Sequence, residues 1–213
     1  MLRVYYAELA DSFRGDDCSI PLSAYRKEKL KKTSASLVRR QMYAAEWLLD
    51  HAIREILPDA SLPPDIQTGE KGKPFLSELP YCFSLSHSGP FVACAIADHE
   101  IGADIQVRSS LHEPLLKRFF SPEEQRYVLE CADRDAAFTE IWCLKESYLK
   151  ATGEGLTRSL SDFSLDLSGP IILSNSDAVR FWQLHEMRFQ MAVCSLVGIE
   201  QTPERIEKIE LRP

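Results

Sequence analysis

The sequence lacks what would tie it to a membrane or to a disulfide framework. Its longest uninterrupted apolar run, Phe91 to Ala97, falls far short of the roughly 20 residues a helix needs to cross a bilayer. The opening Met1-Leu2-Arg3-Val4-Tyr5-Tyr6 has no signal-peptide layout. No membrane association and a cytoplasmic location are therefore expected. The six cysteines contain no Cys-x-x-Cys. Cys94, Cys143 and Cys194 sit in apolar surroundings, so they read as reduced core thiols, and none is a good candidate nucleophile. Positive charge is not in excess either. A net charge of −7 argues against general nucleic-acid binding, which runs on clustered cations. What remains is an ordinary globular composition, 45% hydrophobic and 27% charged over 213 residues, enough for one large domain or two small halves with a real core. The cations are unevenly placed: Arg26, Lys27, Lys29, Lys31, Lys32, Arg39 and Arg40 gather around a single acid, Glu28. Such a patch suits an anionic partner, although a solvated helix face would have the same composition.

Periodicity sorts the chain into an α+β order. Leu2 to Leu9 reads as a strand. Leu37, Ala44, Trp47, Leu48 and Ile53 recur at helical spacing through Ser36 to Leu57, and Pro58 stops that helix. The proline-rich residues 58 to 74 are expected to form an irregular connector. Phe83 and Leu85 alternate with Ser84 and Ser86, then His87-Ser88-Gly89-Pro90 turns the chain, and Phe91 to Ala97 returns as a buried strand. Ser121-Pro122-Glu123-Glu124 combines an N-cap, a proline at the first helical position and a capping-box acid. A later helix, with Asp135 as its expected cap, ends at Gly153. Three strands follow, within Phe163 to Leu167, Ala178 to Leu184 and Phe189 to Val197. Phe91 to Ile96 and Gln190 to Leu196 share a pattern, a faint sign of two related halves.

The segment Trp142-Cys143-Leu144-Lys145-Glu146-Ser147-Tyr148-Leu149-Lys150 puts charge where an amphipathic helix keeps apolar side chains. Stepping about 100° per residue, Lys145 falls inside the apolar arc of Leu144, Tyr148, Ile141, Phe138, Leu149 and Trp142. Glu146 and Lys150 flank it, one turn apart on the same edge. Charges so placed need an anionic or metallic partner. The plainer alternative is a Glu-to-Lys helix pair with Lys145 snorkelling to solvent. In the strand Ile101 to Val107, Ala103, Ile105 and Val107 share one face and Asp104 and Gln106 the other. An acid and an amide side by side, joined by Glu146, make an oxygen-rich set suited to a hard cation such as magnesium.

Gly102-Ala103-Asp104-Ile105-Gln106, followed by Trp142-x-x-Lys145-Glu146-Ser147-x-x-Lys150 and preceded by Gly72-Lys73-Pro74 and Phe83-Ser84-Leu85-Ser86-His87-Ser88-Gly89, resembles the ordered signature of the surfactin-type 4′-phosphopantetheinyl transferases. The resemblance runs from about Arg26 through Lys150. It implies an α+β fold of two similar halves, here 1–100 and 101–213, related by a pseudo-twofold, with the active site in the cleft between them. It also implies a monomeric enzyme that uses magnesium to move the phosphopantetheine arm of coenzyme A onto a serine of an apo acyl or peptidyl carrier protein, releasing 3′,5′-ADP. Such carriers serve fatty acid, polyketide or peptide assembly. On this resemblance Asp104, Gln106 and Glu146 are the expected metal ligands, and Asp104, Glu146 and Lys150 the catalytic set. Arg26, Lys29 and Arg40 suit the 3′-phosphate of coenzyme A, Lys73 the adenine side, and Ser86 and His87 the pyrophosphate. Ser86 and His87 do so from a polar turn whose backbone donors meet phosphate. Lys145 and Lys150 are expected to reach phosphate, with Lys150 steadying the leaving group. One position departs from the pattern: Gln106 stands where the family commonly carries Glu. Two alternatives follow from that departure and from the metal set, a coenzyme A-binding protein without transfer activity and a magnesium-dependent phosphohydrolase.

Overall fold

The apolar strand Phe91–Ala97, buried along its whole length, is the centre of a four-stranded sheet because both of its edges find partners. Its neighbours are β1 (Leu2–Glu8) and β4 (Cys82–Ser88), both antiparallel to it; it is β5 in chain order. The structure, a computed structural model, describes residues 1–14, 21–155, 158–167, 169, 171–173, 178–197, 203 and 206–211. Between β1 and β4 lie α1 (Ala24–Lys31), α2 (Ser36–Ile56), β2 (Ile66–Thr68) and β3 (Pro74–Leu76). After β5 come β6 (Ile101–Val107), α3 (Glu113–Phe119), α4 (Pro122–Glu130), α5 (Arg134–Thr152), a 3₁₀ turn at Leu160–Asp162, β7 (Leu165–Asp166), β8 (Ile172–Leu173), β9 (Arg180–His185), β10 (Phe189–Ser195) and β11 (Ile206–Lys208).

The order of the first sheet is β11-β1-β5-β4 and of the second β6-β10-β9. The connectivity repeats. In each half a strand leads through a long helix to a hairpin whose second strand returns to pair, antiparallel, with the first: β1, α2 and β4–β5 in one, β6, α5 and β9–β10 in the other. The similar segments Phe91 to Ile96 and Gln190 to Leu196 thus occupy equivalent central strands. Strand alternation then fixes the layers. Tyr5, Ala7, Val92, Cys94 and Ile96 face α2, where Ala44, Leu48, Leu49, Ala52 and Ile53 close one core. Val4, Ala93 and Ala95 face the other way, against Ala103, Ile105, Met191 and Val193 of the second sheet. Ala192 and Cys194 face α5, whose Ile141, Leu144 and Leu149 close a third cluster. The architecture is α+β, helix on sheet on sheet on helix.

The two sheets also meet at their edges. β4 and β6 are both edge strands, and Ser84, Ser86 and Ser88, which share one face of β4, offer their hydroxyl oxygens to the backbone N–H groups of Ala103 (2.9 Å), Ile105 (3.3 Å) and Val107 (3.0 Å). A row of serines thereby satisfies donors that an open edge would leave bare.

Several expectations change here. The stretch expected to be an irregular connector contains the β2–β3 hairpin, joined across Gly69 to Lys73, in which Ile66 and Leu76 pair directly across the strands and are both buried. The turn after β4 is shorter than expected: Gly89 and Pro90 alone make it, and Ser86, His87 and Ser88 are paired strand residues, so the backbone donors imagined in a turn are those of a strand. Gly89 takes a left-handed φ of 53°, which is why glycine serves there. Asp133, not Asp135, caps α5 by accepting from Ala136 N–H; Asp135 instead accepts from Leu111 N–H. The capping box at Ser121 and Glu124 forms in both directions, and Gly153 ends α5 with a φ of 69°.

Candidate functional site

The distance between α5 and β6 decides the geometry of the site, and Gly102 sets it. A side chain at that position would stand 2.0 Å from the Ser147 carbonyl oxygen and 2.3 Å from the Ala151 nitrogen, so helix and strand cross backbone against backbone. The crossing brings residues one helical turn apart on α5 over the polar face of β6. Asp104, 1% exposed, accepts from Lys150 Nζ at 2.6 Å and from Ser86 Oγ at 2.7 Å through Oδ1, and from Gln106 Nε2 at 3.0 Å through Oδ2. Lys150 also donates to Ser86 Oγ at 2.8 Å. Gln106 accepts from Ser88 Oγ at 3.2 Å. Asp104 and Gln106 do share a face, as strand alternation predicts. Glu146 lies half-buried beside them, and no hydrogen-bond donor among the described residues reaches its carboxylate. Burial first, and the neighbouring Asp104 second, raise its pKa, with Lys150 opposing.

From this cluster a cleft of about 350 Å³ runs between the halves, lined by α1 and α2 on one side, by β4, and by the C-terminal turn of α5 and the Lys71–Pro74 loop on the other. Tyr25, Arg26 and Lys29 of α1 and Lys150 of α5 all line it, and His87, exposed on the α2-facing side of β4, lines it too. The crowding of protein around the His87 ring, then the cations of Lys150 and Arg26, hold its pKa below the usual imidazole value. The cleft is lined by the cations Arg26, Lys29 and Lys150 and the Tyr25 ring, and Lys150 joins it to the Asp104 carboxylate. That distribution fits an elongated, multiply phosphorylated ligand.

The family described as ACPS, the 4′-phosphopantetheinyl transferase superfamily, matches residues 100–194, the stretch that holds β6 and α5. The chain is 32% identical over 184 residues to the 4′-phosphopantetheinyl transferase psf-1 of Bacillus pumilus, covering 81% of this chain and 76% of that protein. It is 34% identical over 171 residues to the 4′-phosphopantetheinyl transferase AcpT of Salmonella typhi, covering 77% and 83%. It is 36% identical over 138 residues to the 4′-phosphopantetheinyl transferase Sfp of Bacillus subtilis, covering 60% and 61%. The chain belongs to the 4′-phosphopantetheinyl transferase superfamily and is an enzyme. The surfactin-type resemblance carried by the four motifs is borne out.

In this transferase three of the expected ligand contacts are engaged elsewhere. Lys145, expected to reach phosphate, is fully buried: its ammonium donates to the carbonyls of Leu160 (2.7 Å) and Phe163 (2.8 Å), pairs with Glu124 at 2.9 Å and lies 4.7 Å from the Phe163 ring centre. Its place in the apolar arc meant burial with a carboxylate partner, not access to a ligand; burial lowers its pKa and Glu124 pulls it back up. Arg40 does not line the cleft. Its guanidinium donates to the carbonyls of Phe13 (2.7 Å) and Ala10 (2.5 Å), bracing the segment after β1. Lys73 lines the cleft with its stem, but its ammonium is committed to Glu100 at 2.5 Å and to the carbonyls of Ala151 and Ile101, which ties the loop to the end of α5. Arg26, Lys29, Ser86, His87 and Lys150 do lie at the cleft or its carboxylate end, and Asp104, Gln106 and Glu146 come together as expected.

Sequence reasoning missed Ser88, Tyr25 and Lys71. Ser88 continues the two-residue period of Ser84 and Ser86, a signal that was present; Tyr25 and Lys71 had none beyond their neighbours in sequence.

For a divalent cation the donors are Asp104 and Glu146, with no cluster of three or more His, Cys, Asp or Glu among the described residues. Two carboxylates close enough to raise the pKa of Glu146, with one ammonium between the halves to compensate them, match magnesium, which takes one or two protein carboxylates and completes its shell with water and substrate phosphates. The residues fit that ion. The Gln106 carbonyl oxygen, expected to be a metal ligand, accepts from Ser88 Oγ, and its amide donates to Asp104.

Proposed function

We propose that this enzyme transfers the 4′-phosphopantetheine of coenzyme A to a serine of an apo acyl or peptidyl carrier protein, releases 3′,5′-ADP and depends on magnesium. The observation that carries the reading is the buried Asp104, neighboured by the Glu146 carboxylate and paired with Lys150, which lines the same cleft as Arg26 and Lys29. The reaction forms a bond between the carrier serine oxygen and the β-phosphorus of coenzyme A and breaks the bond from that phosphorus to the bridging oxygen, whose electron pair leaves with the nucleotide. Glu146 takes the serine proton. No hydrogen-bond donor among the described residues occupies its carboxylate, so the oxygen is available for that proton. Lys150 offers positive charge to the departing phosphate, while Ser86 holds Lys150 and Asp104 in register. Arg26 and Lys29 anchor the 3′-phosphate, and His87 lies along the pyrophosphate. Asp104 and Glu146 would hold magnesium, which would supply neutralisation of the pyrophosphate charge.

The same reading includes a monomeric, cytoplasmic protein whose halves divide at residues 100 and 101, with β11 returning to the first sheet. Among the described residues no helix is long and apolar enough to cross a membrane. The test is the intact mass of an apo carrier incubated with the enzyme, coenzyme A and magnesium. A mass gain of one phosphopantetheine is expected, and Glu146→Gln, which keeps the size and removes the charge, is expected to lower the rate at least ~100-fold. Release of free phosphopantetheine without carrier loading would mark a phosphohydrolase, and binding without turnover a coenzyme A-binding protein; either sinks the proposal.

A further inference from the structure

Glu46 lies on α2 with none of its surface exposed, a costly place for a carboxylate that takes no part in the Asp104 cluster. Its Oε1 accepts from the backbone N–H of Ser23 at 2.7 Å and its Oε2 from Nε of Arg26 at 3.1 Å. Ser23 is the N-cap of α1 and accepts from the Arg26 backbone N–H at 3.2 Å. One carboxylate therefore fixes both the start of α1 and the guanidinium two residues into it.

The way Glu46 holds Arg26 matters. It engages the guanidinium from the side, at Nε, and leaves the terminal nitrogens unclaimed, where a fork-on pairing would consume both. Arg26 is 7% exposed and lines the cleft, and its Nη2 is buried with no hydrogen-bond partner among the described residues. A buried guanidinium nitrogen without an acceptor carries a desolvation cost that an arriving anion relieves. The surroundings supply a second cation: Lys29 Nζ lies 5.3 Å and Arg26 Cζ 5.8 Å from the Tyr25 ring centre. Neither Arg26 nor Lys29 is among the groups that touch Asp104, which are Lys150, Ser86 and Gln106, so on the proposed function the phosphate they meet is the 3′-phosphate and not the one under attack.

We propose that Glu46 is a positioning residue: it aims Arg26 at the 3′-phosphate of coenzyme A and thereby sets the enzyme's preference for coenzyme A over dephospho-coenzyme A. The inference rests on coenzyme A occupying this cleft. It is tested by calorimetric titration of coenzyme A and dephospho-coenzyme A into the wild type, Glu46→Gln, Arg26→Ala, the double variant and Arg26→Lys, alongside carrier-loading kinetics. Glu46→Gln is expected to weaken coenzyme A binding tenfold or more, to leave dephospho-coenzyme A within twofold, and to raise KM while kcat at saturating coenzyme A stays within threefold. In the Arg26→Ala background the same change is expected to have no further effect, since Glu46 acts through Arg26. Arg26→Lys keeps a cation beside Glu46 but has one ammonium in place of a fork, so it too is expected to lose the preference; this variant decides the matter should Glu46→Gln not fold. Equal losses for both ligands, an undiminished Glu46 effect without Arg26, or full preference in Arg26→Lys overturns the role of Glu46. A wild type that loads carrier equally well with either ligand overturns it too. A wild type that binds neither ligand overturns the functional reading itself.

Discussion

Replacing Gly102 with alanine tests the link between packing and chemistry most directly. The added Cβ would meet three backbone atoms of α5, the Ser147 oxygen at 2.0 Å, the Ala151 nitrogen at 2.3 Å and the Ala151 Cα at 2.9 Å. Ordinary carbon contacts sit at about 3.5–4.0 Å, and none of these atoms belongs to a flexible side chain, so α5 must retreat from β6 by more than about 1 Å. Overpacking of this kind costs about 1–3 kcal/mol, a fall in Tm of roughly 2–12 °C for a chain of this size. The functional loss should exceed the stability loss. Lys150 Nζ, now 2.6 Å from Asp104, would pass beyond hydrogen-bond range, and Glu146 would move with it. Misplacement by ~1 Å can lower a rate about 100-fold. The assay pairs thermal denaturation by circular dichroism with carrier loading by intact mass, and Gly169→Ala serves as the control because, its chain neighbours aside, no atom of the described residues lies within 4 Å of an added Cβ there. A Gly102→Ala enzyme with wild-type Tm and wild-type loading rate would refute the close crossing and the geometry built on it.

Lys145→Met should cost about 3–5 kcal/mol of stability by leaving the buried Glu124 carboxylate without its countercharge, with only the Ser121 and Leu165 N–H groups still donating to it, yet leave KM for coenzyme A within twofold at a temperature where the variant stays folded; a tenfold rise in KM with undiminished stability would return Lys145 to the cleft. Burial, with Glu46 adding and Arg54 opposing, raises the Asp50 carboxyl to about 7. The folded state then holds the proton more tightly than the unfolded chain, so stability is fullest below about pH 4 and is lost as pH rises through 7. Asp50→Asn should therefore lose less stability than wild type between pH 5 and pH 8, by on the order of 2–3 kcal/mol, and parallel urea denaturation curves at the two pH values would sink that account. Gln106→Glu should lower the magnesium concentration for half-maximal loading while reducing metal-free stability, because a second carboxylate replaces the amide that donates to Asp104 at 3.0 Å. Gln106→Ala should raise the magnesium requirement or slow the reaction, and two variants with wild-type magnesium curves would place Gln106 outside the site.

Local rules were enough to read much of this from the sequence. The long helix before Pro58, the capping box at Ser121, the glycine end of α5 and the shared face of Asp104 and Gln106 each depend on neighbours within a few residues, where periodicity and cap chemistry act. The four motifs carried the family because their order and residue types survive in the chain itself. Which charges meet a ligand was settled only in three dimensions. Lys145 and Lys150 sit five positions apart on one helix, yet one turns to Glu124 and two carbonyls and the other to Asp104, because only the first faces the segment after α5. Arg40 was expected at the 3′-phosphate and Lys73 at the adenine side, and the carbonyls of distant segments claim them instead. Glu46 gave no sequence signal: a glutamate inside an apolar helical run acquires meaning when α1 folds back to place Ser23 and Arg26 over it. A side chain's type fixes what it is able to bind, but its partner is fixed by which backbone and side-chain groups long-range packing brings within about 3 Å of it.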